Sequence, residues 1–373
     1  MAKRRYGSGA VFHRSDGRWE SQFRLADGSR KCVYGKTRRE VVRRLREVRW
    51  ELANGFAVSS RKLHLRQYFE YWLEQNRGRV RHNTFYSLKL SSRRLLDEVG
   101  DIPVSQLSPA VIQGAYHRLH VRGLSTYSVL QAHRMLNRAM NQAVQWGLIP
   151  SNPVARVLPP RPRKREMTAL QPDQLVRLLD GTIDEDLHPL YVVLGTAGLR
   201  MGEALGLSWD DVDLIAGRLV VHRALQNQVG VGLVFVPLKT ASSYRTVVLT
   251  RRAVQALHLQ RQRLQVLRET EARWMDQGLV FPNSVGGPMY PGRPNHDLKP
   301  LLRRLALPQI RAHDLRHTTA SVLLTQGVHP KVVQEMLGHS TIATTMDTYS
   351  HVMPTMHDDA VRKLDEVLER LVA

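Results

Sequence analysis

The 373-residue chain has a single cysteine, Cys32. An intramolecular disulfide is therefore excluded, and so is a metal site built on several thiolates; the usage suits a reducing cytoplasm. A run of about 18 apolar residues, the length a membrane-crossing helix needs, is also absent. The opening stretch, MAKRRYGSGAVF, is basic but lacks a long apolar segment behind its charges, so it does not read as a secretory signal. No P-loop, no carboxylate cluster and no internal repeat of fixed period is found. Acidic residues are scarce. Thirty-three Asp and Glu face 55 Lys and Arg, giving a net charge of +22 and a pI near 10.7. Such a surface attracts polyanions, and on charge alone DNA, RNA, an anionic membrane or no specific partner at all would fit.

What is present suffices for ordinary folding. Apolar residues make up 42% of the chain, including six Trp and eleven Tyr, and the length suggests two or three domains. Residues 1–62 carry 17 Lys and Arg against 6 Asp and Glu, a net +11. Short strands are expected at 9–13, 18–24 and 30–34, separated by Ser15-Asp16-Gly17 and Ala26-Asp27-Gly28 turns. A helix follows, with Thr37 as its cap and Val41, Leu45, Val48 and Leu52 as its apolar stripe. The sheet would expose Arg18, Arg24 and Arg30 to a groove of nucleic acid.

Residues 63–157 read as all-helical. Leu65, Tyr68, Phe69, Trp72 and Leu73 mark one helix. Asn83 precedes a second, with Tyr86, Leu88, Leu90, Leu95 and Leu96. Ser108-Pro109 starts a third and Ser125 a fourth. Residues 158–165 follow, Leu-Pro-Pro-Arg-Pro-Arg-Lys-Arg. Three prolines forbid a helix there, and Arg161, Arg163, Lys164 and Arg165 make a phosphate-binding linker. Residues 166–373 read as helices with inserted strands at 218–221, 233–237 and 244–249, ending in an amphipathic tail helix over 357–372 striped by Val361, Leu364, Leu368 and Leu371.

Four motifs in this last segment carry chemistry. In Thr196-Ala197-Gly198-Leu199-Arg200-Met201-Gly202-Glu203, the glycine permits a bend that sets Arg200 at a helix start, where Glu203 can orient it. In Pro237-Leu238-Lys239-Thr240-Ala241-Ser242-Ser243-Tyr244-Arg245, the lysine sits on what reads as a hairpin turn. Ala312-His313-Asp314-Leu315-Arg316-His317-Thr318 places His313 and Arg316 on one helical face; the His313 and His317 spacing suits a metal pair, yet no second cluster completes a shell. Leu337-Gly338-His339 is followed by Tyr349 ten residues later. Each motif alone has a plain reading: a solvated ion pair, a solvated lysine, a helix face, a packed tyrosine.

Taken in order, they resemble the tyrosine recombinase family, the phage integrases and their relatives. The pattern Arg, Lys, His-x-x-Arg, His, Tyr is met by Arg200, Lys239, His313, Arg316, His339 and Tyr349, with T-x-G-L-R-x-x-E, H-D-L-R-H-T and L-G-H-x-x-x-x-T-x-x-x-x-Y contexts around them. The resemblance implies a multidomain, mainly α fold with small β-sheets. Residues 1–62 would be a β-rich arm-binding domain, 63–157 a helical core-binding domain, 158–165 a basic linker, and 166–373 a mixed α/β catalytic domain with its tail helix. It implies a site-specific recombinase that integrates or excises a mobile element or prophage through a 3′-phosphotyrosyl intermediate. Tyr349 would be the nucleophile, Arg200 and Arg316 would bind the phosphate, Lys239 would protonate the leaving 5′ oxygen, and His313 would help deprotonate the tyrosine. Such chemistry requires neither a metal nor ATP. The implied partners are core and arm attachment sites on double-stranded DNA, three further copies in a synaptic tetramer, an excisionase or other directionality factor, and a host DNA-bending protein. The implied location is the nucleoid of a bacterial cytoplasm. A chromosome-dimer-resolving recombinase, a type IB topoisomerase-like enzyme and a non-catalytic DNA-binding regulator are the alternatives. The strand-rich basic N-terminal segment speaks against the first two, and the complete six-residue set against the last.

Overall fold

Two compact units, Met1–Lys164 and Arg165–Ala373, make up the chain in a computed structural model. It describes residues 10–24, 30–53, 63–162 and 168–349, together with 361–362, 364–365 and 368–369. In the first unit, β1 (Ala10–His13), β2 (Trp19–Arg24) and β3 (Arg30–Gly35) form an antiparallel sheet in that order. Helix α1 (Arg38–Ala53) begins where the Thr37 hydroxyl accepts the Glu40 N–H at 3.2 Å. Its Leu45 packs with Val33 and Val11 of the sheet, and Val41 is fully buried.

Arg18 is not a strand residue. It ends the turn before β2, where it pairs with Asp16 at 3.1 Å, because the positive φ of Gly17 leaves the chain turning until Trp19. Arg24 and Arg30 face each other in the β2–β3 register.

Four helices complete this unit: α2 (Leu65–Asn76), α3 (His82–Val99), α4 (Pro109–Val121) and α5 (Thr126–Gln145). Ser108 and Ser125 cap the last two by accepting the Val111 and Ser128 N–H groups. Asn83 lies inside the first turn of α3 rather than before it, and Leu90 is half exposed because the buried stripe of α3 runs through Ser92, Leu95, Leu96 and Val99 instead. The core gathers Tyr68, Phe69, Trp72, Tyr116 and Leu136, with the Tyr68 hydroxyl donating to the Ala139 carbonyl at 2.5 Å.

The second unit opens with α6 (Pro172–Asp180), α7 (His188–Ala197) and α8 (Met201–Leu205). Two small sheets follow. β4 (Val212–Asp213), β5 (Arg218–Val221) and β8 (Arg245–Val248) form one; β6 (Arg223–Gln228) and β7 (Gly232–Pro237) form the other. The sequence pattern missed β6, whose Arg-Ala-Leu-Gln-Asn-Gln run buries only Leu225. It also paired β7 wrongly. Gly230 and Gly232, both at positive φ, turn the chain back so that β7 lies against β6 and not against β5 or β8. Further helices follow among the described residues: α9 (Arg251–Thr270), α10 (Arg293–Arg304), α11 (Asp314–Thr325), α12 (Pro330–Leu337) and α13 (Ile342–Tyr349). In the tail, the described residues are helical and Val361, Leu364 and Leu368 are each about half exposed; Leu371 falls outside the described residues. Among the described residues, no helix is long and apolar enough to cross a membrane.

Candidate active site

The site is anchored on α7, whose residues are buried on nearly every side. At its end Gly198 takes φ +63°, and a Cβ there would lie 2.7 Å from the Leu337 side chain. Only glycine satisfies both demands. The bend buries Leu199 and delivers Arg200 to the start of α8. There the Arg200 Nη1 donates to Glu203 Oε1 at 2.5 Å, its backbone N–H donates to Glu203 Oε2 at 3.0 Å, and its Nη2 donates to the Gly338 carbonyl at 3.1 Å. Helix α8 has only five residues, so the guanidinium itself carries the positive field at this point.

Glu203, 2% exposed, also accepts from Arg245 Nη2 at 2.9 Å. Burial works to raise its pKa, but Arg245 and then Arg200 hold the carboxyl below the usual carboxylate range. Arg245 in turn donates to the Met336 carbonyl at 2.8 Å and the Ser243 carbonyl at 3.1 Å. One buried carboxylate and one buried arginine thus tie the Arg200 bend to the Gly338 turn and to the strand that follows Lys239.

Helix α11 supplies the next group. His313 precedes it, and Asp314 turns away to pair with Arg311 at 2.9 Å. Arg316 is 2% exposed and donates through Nη1 to the Gly198 carbonyl at 2.6 Å. Its Nη2 is buried with no acceptor. Burial, with Arg200 beside it, pushes this guanidinium down to about 9, so it is charged at neutral pH but poorly compensated. His317, one residue on, is hydrogen-bonded through Nδ1 to the Tyr349 hydroxyl at 2.7 Å. The tyrosine ring packs in an apolar cluster with Ala320, Leu324, Val333 and Leu337. Burial pushes the phenol up to about 12, while burial and His313 push His317 down to about 4. His339 follows Gly338, which has φ +68°, and its Nδ1 is hydrogen-bonded to Thr345 Oγ1 at 2.9 Å.

Hydrogen bonds and packing therefore bring Arg200, Arg316, His339 and Tyr349 together, with His313 5.5 Å from His317, centroid to centroid. The tyrosine hydroxyl meets His317 and not His313, because the two histidines stand one helical turn apart and Tyr349 approaches from the later turn. Lys239 is exposed on the Pro237–Tyr244 connection and makes no hydrogen bond or ion pair with a described residue. That connection crosses between the two sheets; it is not a hairpin, since β7 and β8 have different partners. Arg18 and the exposed Arg161 belong to the first unit, the side chains of Arg24 and Arg30 are not described, and Arg163, Lys164 and Arg165 lie outside the described residues. Sequence reasoning passed over Arg245, His317 and Thr345. Arg245 closes the lysine motif, and His317 drew notice only as half of a metal-type pair; no three His, Cys, Asp or Glu side chains among the described residues gather in such a cluster.

Comparison with known proteins gives the chain's relatives and its family. A tyrosine recombinase XerC-like protein of Caldanaerobacter subterraneus subsp. tengcongensis is 28% identical over 360 residues, covering 91% of this chain and 92% of that protein. The Tn1549 transposon integrase, solved in complex with transposon right end DNA, superposes with a TM-score of 0.69 at 26% identity, covering 83% of this chain and all of that one. A lambda integrase from a tetramer bound to a Holliday junction shares the fold, with a TM-score of 0.56 at 16% identity over 93% of this chain and 97% of that one. Residues 64–120 match the N-terminal SAM-like domain of phage integrases. Residues 168–356, more than half of the chain and all of the site just described, match the phage integrase family itself, and the chain belongs to that family.

Proposed function

We propose that this chain is a site-specific integrase of a mobile element, which cuts and rejoins DNA through a covalent bond between Tyr349 and a 3′ phosphate. The observation that carries the reading is Arg316: a 2%-exposed, charged guanidinium whose Nη2 has no acceptor, set beside Arg200 and one residue from the partner of the Tyr349 hydroxyl. A buried cation without a counter-ion is costly, and an arriving phosphate oxygen would supply one. Arg200, oriented by Glu203, would take a second oxygen and oppose the charge that builds in the transition state. His313 and His339 would add hydrogen bonds once the phosphate is in place.

The step balances simply. The Tyr349 oxygen attacks phosphorus, the bond from phosphorus to the 5′ oxygen breaks, the phenol proton leaves to a base, and Lys239 gives a proton to the departing 5′ oxygen. The phosphotyrosyl bond conserves the energy of the bond it replaces, so a 5′ hydroxyl from another strand can reverse the step. The likeness to a transposon integrase on transposon right end DNA, to a lambda integrase on a core site and to a lambda integrase tetramer on a Holliday junction supports core-site DNA as substrate and a tetramer as the working form. The half-exposed Val361, Leu364 and Leu368 of the tail would dock on a neighbouring copy in that tetramer. The domain reading is 1–62 for arm binding, 63–157 for core binding and 166–373 for catalysis, with an excisionase and a DNA-bending protein as further partners. Chromosome-dimer resolution is the rival reading, favoured by the XerC-like relative; recombination assays on an integrative attachment site against a chromosomal resolution site separate the two.

The test of the chemistry is Tyr349→Phe, which removes one buried oxygen. On a nicked suicide substrate, the parent should give a denaturant-resistant covalent complex and the variant none, with DNA binding retained. An adduct persisting in the variant refutes the assignment.

A further inference from the structure

Arg245 closes the lysine motif, yet nothing in the proposed chemistry uses it. Its side chain is 7% exposed, against 37% for Arg200, so it is not placed to meet DNA itself. All three of its side-chain nitrogens donate within the protein: Nε to the Met336 carbonyl at 2.8 Å, Nη1 to the Ser243 carbonyl at 3.1 Å and Nη2 to Glu203 Oε2 at 2.9 Å. Gly338 makes room for this guanidinium, since a Cβ there would stand 3.0 Å from Nη1.

Charge gives the placement a purpose. Glu203 divides its oxygens: Oε1 accepts from Arg200 Nη1, and Oε2 accepts from Arg245 and from the Arg200 backbone N–H. A carboxylate buried this deeply needs its whole charge opposed. Among the described residues, the other guanidinium bonded to it is Arg200. Without Arg245, Arg200 would be drawn onto both oxygens as a forked pair, its charge engaged by Glu203 and not by a phosphate. With Arg245 in place, Arg200, Arg245 and Arg316 against Glu203 leave two positive charges unopposed for an arriving anion; without it they leave one.

We propose that Arg245 is a positioning residue, the counter-ion of Glu203, which lets that carboxylate orient Arg200 without neutralising it. The inference rests on Arg200 binding the scissile phosphate, and its failure is distinguishable from the failure of that reading.

Single-turnover formation of the covalent complex is followed at saturating full-length protein on nicked suicide substrates of three kinds. One has an ordinary scissile phosphate, one a neutral methylphosphonate and one a 5′-bridging sulfur. Arg245→Met should slow the ordinary substrate about ten- to hundredfold, the equivalent of one hydrogen bond to a charged group. Core-site affinity should change little, because many other phosphate contacts hold the duplex. On the methylphosphonate, which offers Arg200 no charge to oppose, Arg245→Met should react at close to the parent rate. Arg245→Lys, which keeps the charge, should lose less than Arg245→Met. The double variant Glu203→Gln with Arg245→Met removes both charges of the pair and should regain most of the lost rate on the ordinary substrate.

The proposal is overturned if Arg245→Met loses as much on the methylphosphonate as on the ordinary substrate, or if the double variant is no faster than Arg245→Met; Arg245 then only fills its slot. Equal losses in Arg245→Lys and Arg245→Met speak against it in the same way. Restoration by the bridging sulfur would also overturn it, by showing that Arg245 acts through Lys239. If Arg245→Met alone does not fold, the comparison is made in the Glu203→Gln background. There the added Arg245→Met should slow cleavage little, and a further loss of about tenfold, the size of a net hydrogen bond, overturns the proposal. Failure of the reading beneath it shows separately, as parent-rate cleavage by Arg200→Ala or an adduct in Tyr349→Phe.

Discussion

Among the titrating residues of the site, His317, His339 and Glu203 are all held below their ordinary ranges, and the signs combine. His317 and His339, both pushed down to about 4 mainly by burial, take up protons in the unfolded chain below about 6.5 and in the folded chain only near 4. Folding thus loses stability as the pH falls through that window. Around His317, Asp314 opposes the shift while His313, Arg316 and Arg311 reinforce it. Glu203, held low by Arg245 and Arg200 against the pull of burial, adds a further loss below its ordinary 4.5. Melting temperatures should therefore fall from pH 7 to 4.5, and His317→Asn should flatten the curve; a parent curve that is level across that range contradicts the burial of these groups. Lys239 differs from all of them in being exposed, with no bonding partner among the described residues. As the donor to the 5′ oxygen it is dispensable only when the leaving group needs no proton. Lys239→Ala should cut ordinary DNA far more slowly than the parent, yet cleave a substrate with a 5′-bridging sulfur at close to the parent rate. Equal losses on both substrates would make Lys239 a phosphate ligand instead.

At the scale of elements, the two site glycines are fixed by backbone geometry and by what crowds them. Gly198 combines a left-handed φ with the Leu337 side chain 2.7 Å from any Cβ, whereas Gly327, in the same unit and at φ +77°, has nothing within 4 Å. Gly327→Ala should cost about 1–2 kcal/mol for the backbone alone. Gly198→Ala should cost more, since the buried Leu337 side chain must also move to admit the methyl group, and relief of the backbone strain should displace Arg200, two residues on. The expected signature is a melting temperature lower by roughly 2–4 °C for each kcal/mol, with cleavage lost in Gly198→Ala and kept in Gly327→Ala. The same contrast explains what the sequence discloses. Local rules found Thr37, Ser108 and Ser125, because a cap is read from three neighbouring residues. Gly198 and Glu203 were legible for the same reason: both act within one turn of Arg200. The β6–β7 pair was not, since Arg223–Gln228 carries one buried apolar residue and owes its strand to the Gly230 turn. Nor was the bond between His317 and Tyr349, which joins residues 32 apart through the packing of α13, or that of Arg245 with Glu203, 42 apart. Motif order identified the six proposed catalytic positions, and only the packing reveals which partners they hold at rest.

For the whole molecule, the question is why half the excess charge sits in the first sixth of the chain. Residues 1–62 hold +11 of the +22. Two roles fit a basic sheet and helix of this size. One is a general anchor, binding phosphates wherever they lie. The other is a second reader, which recognises an arm sequence away from the crossover point and ties it into the same complex. Phosphate contacts position a protein without carrying sequence information, and their affinity falls steeply with salt. Contacts to base edges discriminate sequence, each good one by about 1–3 kcal/mol. We expect the second role. A variant comprising residues 63–373 keeps every residue of the candidate site, so it should still form the covalent complex on core-site DNA. On attachment-site DNA it should leave unprotected an arm sequence that the full chain footprints, and recombination between two partner DNAs should drop by at least tenfold. The salt slope of core-site binding should change little, because the removed charges would contact other DNA. If the shorter protein instead loses core-site affinity in proportion to its lost charge, and no separate footprint disappears, the N-terminal unit is an anchor, and the reading of this chain shifts from an arm-binding integrase toward a chromosome resolvase.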